Sequence, residues 1–147
     1  MSLSADDRVE IADLVARYAA MVDSREWGGV GTLFTDDGVL ITPDPPASLS
    51  PTRTHRGPAA IIDAMRGVEA FALTFHHVTG VVLDARGDDV TGRATAIAHH
   101  VEASAHSWVW HLVYDDSYVR TAAGWRFCSR ALTIRIIESQ QLTRIHD

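Results

Sequence analysis

The 147-residue sequence contains no lysine, because all 13 of its basic residues are arginine. Enzymes that form a Schiff base through a lysine side chain are therefore excluded. A single cysteine, Cys128, excludes an internal disulfide and a metal site built from cysteine alone. The formal net charge of −6 argues against binding to nucleic acid or to anionic membranes, since both require a basic surface.

Long apolar runs are also missing, and no stretch approaches the roughly 18 apolar residues of a membrane-spanning helix. The first residues lack the apolar segment of a secretory signal, so we expect a cytoplasmic protein. The composition, with 46% hydrophobic and 22% charged residues, is typical of a globular protein. The length fits one domain over residues 1–147.

Apolar spacing predicts a helical first part of the chain. After a capping box formed by Ser4 and Asp7, one stripe at helical spacing comprises Ile11, Leu14, Val15, Tyr18 and Val22. A second, short helix is predicted up to Phe34, with Asp23 as a candidate N-cap. The five prolines of the chain, all between positions 43 and 58, predict an irregular loop. This loop either covers a site or is a mobile part of the surface. Pro58 is predicted to begin a third helix.

From residue 71 onward the apolar period changes to two. This pattern predicts antiparallel strands at 71–84, 89–103, 107–120 and 125–137. Because helices come first and strands last, we predict an α+β fold with helices packed on one face of a curved sheet.

Six of the eight histidines fall between residues 71 and 137, the region of the predicted strands. Adjacent strand residues face opposite sides, so neither His76–His77 nor His99–His100 can chelate a metal with both rings, and we expect no metal. A row of small residues on the second strand predicts that His100 faces inward. This row comprises Val90, Gly92, Ala94, Ala96 and Ala98. On the preceding strand we expect His77 to face inward, together with Phe75, Thr79, Val81 and Leu83.

Two inward histidines, ~13 Å apart along the strand direction, could flank a substrate and move protons near pH 7. Each could equally be a hydrogen-bonded core residue. Asp23 likewise has two interpretations, as a helix cap or as a carboxylate that supports a histidine. Tyr18 is either a core residue or a hydrogen-bond donor to a ligand.

Several short motifs together resemble the SnoaL-like branch of the nuclear transport factor 2-like superfamily, and scytalone dehydratase-like proteins in particular. They lie, in order, at 13–18, 23–27, 34–38, 55–57, 76–79, 114–120 and 124–127. The resemblance implies a cone-shaped fold, in which a curved, mostly antiparallel sheet packs on N-terminal helices around an internal pocket. It also implies a homodimer formed through the sheet, and the outward positions of Ile97, Val101 and Val109 agree with association.

The resemblance implies a cofactor-independent lyase or isomerase, of dehydratase, isomerase or cyclase type, acting on a hydrophobic cyclic or polyketide-like molecule. His77 would be the general base or acid, Asp23 would orient His100, and Tyr18 would donate to a developing oxyanion. Ligand contacts are expected from Trp27, His99, Trp110 and Tyr114. Two other functions remain open: a non-catalytic domain that binds a small ligand, and a structural subunit resembling the β subunit of aromatic-ring dioxygenases.

Overall fold

The computed structural model of the protein describes residues 2–146. Its helices are α1 (Ala5–Asp23), α2 (Trp27–Thr32) and α3 (Pro58–Met65), and a 3-10 helix follows at Arg66–Ala70. The strands are β1 (Phe34–Asp44), β2 (Ser48–Arg56), β3 (Leu73–Arg86), β4 (Asp89–Val101), β5 (His106–Thr121) and β6 (Gly124–Gln141). No helix in this part of the chain is long and apolar enough to cross a membrane.

All six strands form one sheet in the order β2-β1-β6-β5-β4-β3. The pairing of β1 with β6 is parallel, and the other pairings are antiparallel. Helix α1 lies against β3 and β6, and its apolar stripe contributes to the core. The α+β architecture and the mostly antiparallel sheet that the sequence predicted are confirmed.

Helix α1 begins as the sequence predicts. The Ser4 hydroxyl accepts from the Asp7 backbone N–H, and the Asp7 carboxylate accepts from the Ser4 backbone N–H, which completes the capping box. The predicted stripe from Ile11 to Val22 is buried. Because that stripe faces the sheet, the end of α1 comes to lie over β3.

The interpretation of Asp23 as a helix cap, one of the two given above, and the prediction of a loop over residues 43–58 are both wrong. Asp23 is the last residue of α1, and the N-cap of α2 is Glu26, which makes no side-chain capping bond. The proline-rich segment forms the β1–β2 hairpin, with prolines in its turn and on β2. Strand β2 lies at the edge of the sheet, which is where proline is tolerated within a strand.

The inward face of β3 changes at a β-bulge. Val78 pairs with Ala96 and Gly80 pairs with Thr95, so Thr79 is an extra residue with no opposite partner. An extra residue reverses the alternation of side chains along a strand. Val81 and Leu83 therefore pack on the core together with Val78, which lies on the other alternation row of the sequence.

A fully buried ion pair joins β5 to β6 on the inner face. The Arg130 guanidinium donates to both oxygens of Asp116, at 2.8 and 3.0 Å, and the Tyr118 hydroxyl donates to the same carboxylate at 2.8 Å. The guanidinium carbon also lies 3.9 Å from the Tyr114 ring centroid and 4.4 Å from that of Tyr18. Burial without such partners would be strongly unfavourable for either charge.

We predict that Asp116→Asn lowers the free energy of unfolding by about 3 kcal/mol, because it leaves Arg130 buried without its counterion. Asp115→Asn is the matched control, since Asp115 is exposed and pairs with the exposed Arg93. That variant should lose less than about 1 kcal/mol. Urea unfolding of the three proteins measures the difference, and equal losses in the two variants would contradict this role of the buried pair.

Candidate active site

A cavity of about 310 Å³ lies between the inner face of the sheet, α1 and the segment that follows α3. Its polar lining comprises Tyr18, Thr42, Arg53, His55, His76, His100 and Tyr114. Its apolar lining comprises Pro43, Ala64, Met65, Val68, Phe71, Trp110, Leu112 and Leu132. A larger groove, of about 700 Å³, shares no lining residue with this cavity and contains no histidine.

Asp23 and His76 form a hydrogen-bonded pair at the wall of the cavity. The Nδ1 atom of His76 lies 2.6 Å from Oδ1 of Asp23, and both side chains are largely buried, with 6% and 17% exposure. A carboxylate only accepts, so His76 donates through Nδ1–H. Its Nε2 atom makes no hydrogen bond within residues 2–146 and is left for the cavity that the ring lines.

Three donors hold the Asp23 carboxylate. Besides the His76 ring, the Thr74 hydroxyl donates to Oδ1 at 3.0 Å and the His76 backbone N–H donates to Oδ2 at 2.8 Å. Burial raises the pKa of Asp23, but the bonds from His76 and Thr74 outweigh burial and hold its pKa below the ordinary value. Asp23 is therefore an anion at neutral pH that fixes the tautomer of His76.

His100 is buried beside this pair as a neutral imidazole. Its ring centroid lies 4.2 Å from that of Trp110 and 6.1 Å from that of His76. Burial, together with the nearby His76, lowers the pKa of His100 to about 4. Within residues 2–146 its Nδ1 atom has no hydrogen-bond partner and is closed off from solvent, which leaves a buried polar atom unsatisfied.

Two tyrosines, Tyr18 and Tyr114, also line the cavity. Together with His76 and His100 they form its polar inner end. The Tyr18 hydroxyl donates to the sulfur of Met65 at 3.1 Å, a weak acceptor that a ligand oxygen could replace. Burial raises the pKa of both phenols, that of Tyr114 to about 12. Each therefore keeps its proton at neutral pH and can serve as a hydrogen-bond donor.

The β1–β2 hairpin supplies further polar groups to the lining. The Nε2 atom of His55 lies 2.9 Å from the Thr42 hydroxyl, and the Arg53 guanidinium pairs with Asp44 at 2.8 Å. Burial and the nearby Arg53 charge lower the pKa of His55. The segment predicted to be a loop therefore forms part of the cavity as an ordered hairpin.

Four of the eight predicted site residues line the cavity: Tyr18, His100, Trp110 and Tyr114. Asp23 reaches it through His76. The prediction that His77 faces inward is wrong, because the bulge at Thr79 places His76 inward and leaves His77 exposed on the outer face.

His99 and Trp27 also lie outside the cavity lining. His99 contacts Ser107 and packs against His77, with ring centroids 5.6 Å apart. Trp27 donates to Glu69 at 2.6 Å. The sequence analysis missed His76, although the apolar Val78 in the same alternation row was a signal for its orientation.

We predict that His100 makes folding less favourable as the pH falls from 6.5 towards 4. In that window the unfolded chain binds a proton at His100 and the folded chain does not, so stability is lost as the pH decreases. The loss attributable to His100 should be about 2 to 3 kcal/mol. His100→Gln should make the free energy of unfolding depend less steeply on pH. The control is His146→Gln, which changes an exposed histidine after the last strand and should keep the wild-type slope. Denaturant unfolding at several pH values measures both slopes, and a wild-type slope in His100→Gln would contradict the prediction.

Several solved structures have the same fold, and their similarity extends over nearly the whole length of this chain. The Kfla4162 protein from Kribbella flavida is 29% identical, with a TM-score of 0.78, over 90% of this chain and 93% of that one. A Novosphingobium aromaticivorans protein assigned provisionally as a scytalone dehydratase is 18% identical, with a TM-score of 0.75, over 97% and 94%. A hexachlorocyclohexane dehydrochlorinase, LinA type 2, is 23% identical, with a TM-score of 0.77, over 98% and 97%.

No curated protein is significantly similar to this chain in sequence. The profile of the SnoaL-like domain, in contrast, matches residues 4–131, which is most of the chain. The match covers the helix that carries Asp23 and the strands that carry His76 and His100. The chain therefore belongs to the SnoaL-like domain family of the nuclear transport factor 2-like superfamily.

Proposed function

We propose that the protein is a cofactor-independent lyase or isomerase that acts on a hydrophobic cyclic or polyketide-like molecule, with His76 as its general base. One observation carries this proposal: the Asp23–His76 pair lies at the wall of a mostly apolar cavity with Nε2 unpaired. A histidine whose Nδ1 atom is held by a carboxylate is oriented to take a proton through Nε2. The volume of about 310 Å³ is at the small end of ligand sites.

The reaction would begin with proton transfer from a carbon next to a carbonyl to Nε2 of His76. The electron pair of the broken C–H bond forms a new carbon–carbon double bond, and negative charge develops on the carbonyl oxygen. Asp23 stabilises the resulting imidazolium without taking its proton. In an elimination, the leaving group then departs with its bonding electrons, and in an isomerisation His76 returns the proton to another carbon.

Hydrogen-bond donors around the inner end would stabilise the developing oxyanion. The hydroxyls of Tyr18 and Tyr114 keep their protons at neutral pH, and the neutral ring of His100 offers either a donor or an acceptor. Neutral donors at a largely apolar wall act more strongly on a forming charge than they would in water.

Two structural neighbours, a dehydrochlorinase and a provisional dehydratase, have names that denote eliminations. That likeness shows only the shared fold, so the proposal depends on the Asp23–His76 pair. The same cavity would suit a catalytic or a purely binding site. The experiment below separates these two functions.

We predict that His76→Gln and Asp23→Asn each slow proton transfer by about 100-fold. The probe reaction is deuterium exchange, followed by NMR in D₂O, at the carbons next to the carbonyl of a panel of cyclic ketones that includes 2-tetralone. The control His77→Gln changes the adjacent, exposed histidine and should keep the wild-type rate. Thermal melting of each variant checks that it is folded.

Acceleration that survives in His76→Gln would contradict this assignment of the general base. No acceleration by the wild-type protein for any ketone of the panel would contradict the enzymatic function. Binding of the same ketones without exchange would support the alternative of a ligand-binding domain.

A homodimer formed through the outer face of the sheet is also proposed. Val101 and Val109, which the sequence analysis placed on this face, are buried within one chain. Other apolar side chains are exposed there: Phe75, Val82 and Ile136, with 52%, 70% and 55% exposure. Exposed apolar surface of this kind favours association with a second copy.

Light scattering at micromolar concentration should therefore give twice the 16.1 kDa mass of one chain. Replacing Phe75 and Ile136 by serine should weaken the dimer, because it removes apolar surface from the proposed interface. Val9→Ser is the control, since Val9 is equally exposed but lies on α1. A wild-type mass of 16.1 kDa would contradict the dimer.

A further inference from the structure

Arg25 follows α1 and adopts a left-handed backbone conformation, with φ of 59°, which is uncommon for a residue other than glycine. Its half-buried guanidinium donates to the Thr74 hydroxyl at 2.6 Å and to the carbonyls of Val22, Val68 and Phe71 at 3.0, 3.3 and 3.5 Å. One side chain thus joins the end of α1, the segment after α3 and the start of β3.

The bond from Arg25 fixes the direction of the Thr74 hydroxyl. A guanidinium has donors only, so Oγ1 of Thr74 must accept from Nη1 of Arg25. The single hydroxyl proton is then free to donate to Oδ1 of Asp23, 3.0 Å away. Thr74 is only 1% exposed, so solvent does not compete for these bonds.

We propose that Arg25 is a positioning residue of the active site, which acts through Thr74 on the Asp23–His76 pair. The inference rests on the proposed function, because that function makes His76 the base that Arg25 would help to position. Arg25 itself makes no direct contact with the reacting atoms. Without the guanidinium, the Thr74 hydroxyl can turn away from Asp23, and the carboxylate that orients His76 loses one of its three donors.

Arg25 also holds part of the cavity wall. Val68 and Phe71, whose carbonyls it binds, line the same cavity as His76. A purely structural role would end there, with Arg25 holding the wall and having no influence on His76. The hydroxyl of Thr74 distinguishes the two roles, since Thr74→Val removes the link to Asp23 and leaves the bonds of Arg25 to the wall.

The test is NMR of the full chain with ¹⁵N-labelled histidine, which measures how fast the Nδ1–H proton of His76 exchanges with water. Arg25→Ala and Thr74→Val should each accelerate exchange about tenfold, because a bond to a charged group is lost. Thr74→Ser, which keeps the hydroxyl, should retain the wild-type rate. Arg17→Ala is the matched control, since Arg17 is an exposed arginine on α1 that pairs with Asp13.

An unchanged exchange rate in Arg25→Ala, or acceleration in that variant but not in Thr74→Val, would overturn the proposal. If Arg25→Ala does not fold, Arg25→Met takes its place, because it removes the donors and keeps the length of the side chain, and wild-type exchange in Arg25→Met or in Thr74→Val overturns the proposal. The readout needs no substrate. Ketone exchange that survives His76→Gln would remove the proposed base, whereas unchanged Nδ1–H exchange in Arg25→Ala would remove only the role of Arg25.

Discussion

The carboxylate of Asp23 is the point on which the rest of the site depends. It lies at the end of α1 and binds both the backbone and the ring of His76 on β3. A buried anion is tolerated only when donors replace the water it has lost, and here three donors do so. The same bonds that dock the helix on the sheet select the tautomer of the histidine.

A second buried charge, that of Arg130, lies behind two of the residues that line the cavity. Arg130 is neutralised by Asp116 and lies against the rings of Tyr18 and Tyr114, whose hydroxyls belong to the inner end of the site. Because this cation already has a bidentate counterion, it is not available to pair with Asp23. The Asp23 carboxylate is therefore bonded to His76, and the separate Asp116–Arg130 ion pair packs against the two tyrosines.

The local pattern of the sequence was enough for the helix α1 and for the inner row of β4, since both follow a regular period over many residues. It failed on β3, where one extra residue at Thr79 reverses the alternation of side chains. As a result His76 faces the cavity and His77, which was predicted to do so, faces outward. For Asp23 the sequence left two interpretations open, because a capping residue and a residue that reaches a distant strand look alike in sequence. The structure agrees with the second, a carboxylate that supports a histidine, but the histidine is His76 and not His100. The Asp116–Arg130 pair was missed for a similar reason, since its partners lie on neighbouring strands whose register sequence alone does not give.

The most direct test of the account is the position of the proton on His76. Neutron crystallography of the deuterated protein at pH 8 would locate it. The account predicts a deuteron on Nδ1, directed at an unprotonated Asp23 carboxylate, and none on Nε2. A deuteron on Nε2 with Nδ1 bare, or a protonated Asp23, would show that His76 cannot act as the base of this cavity.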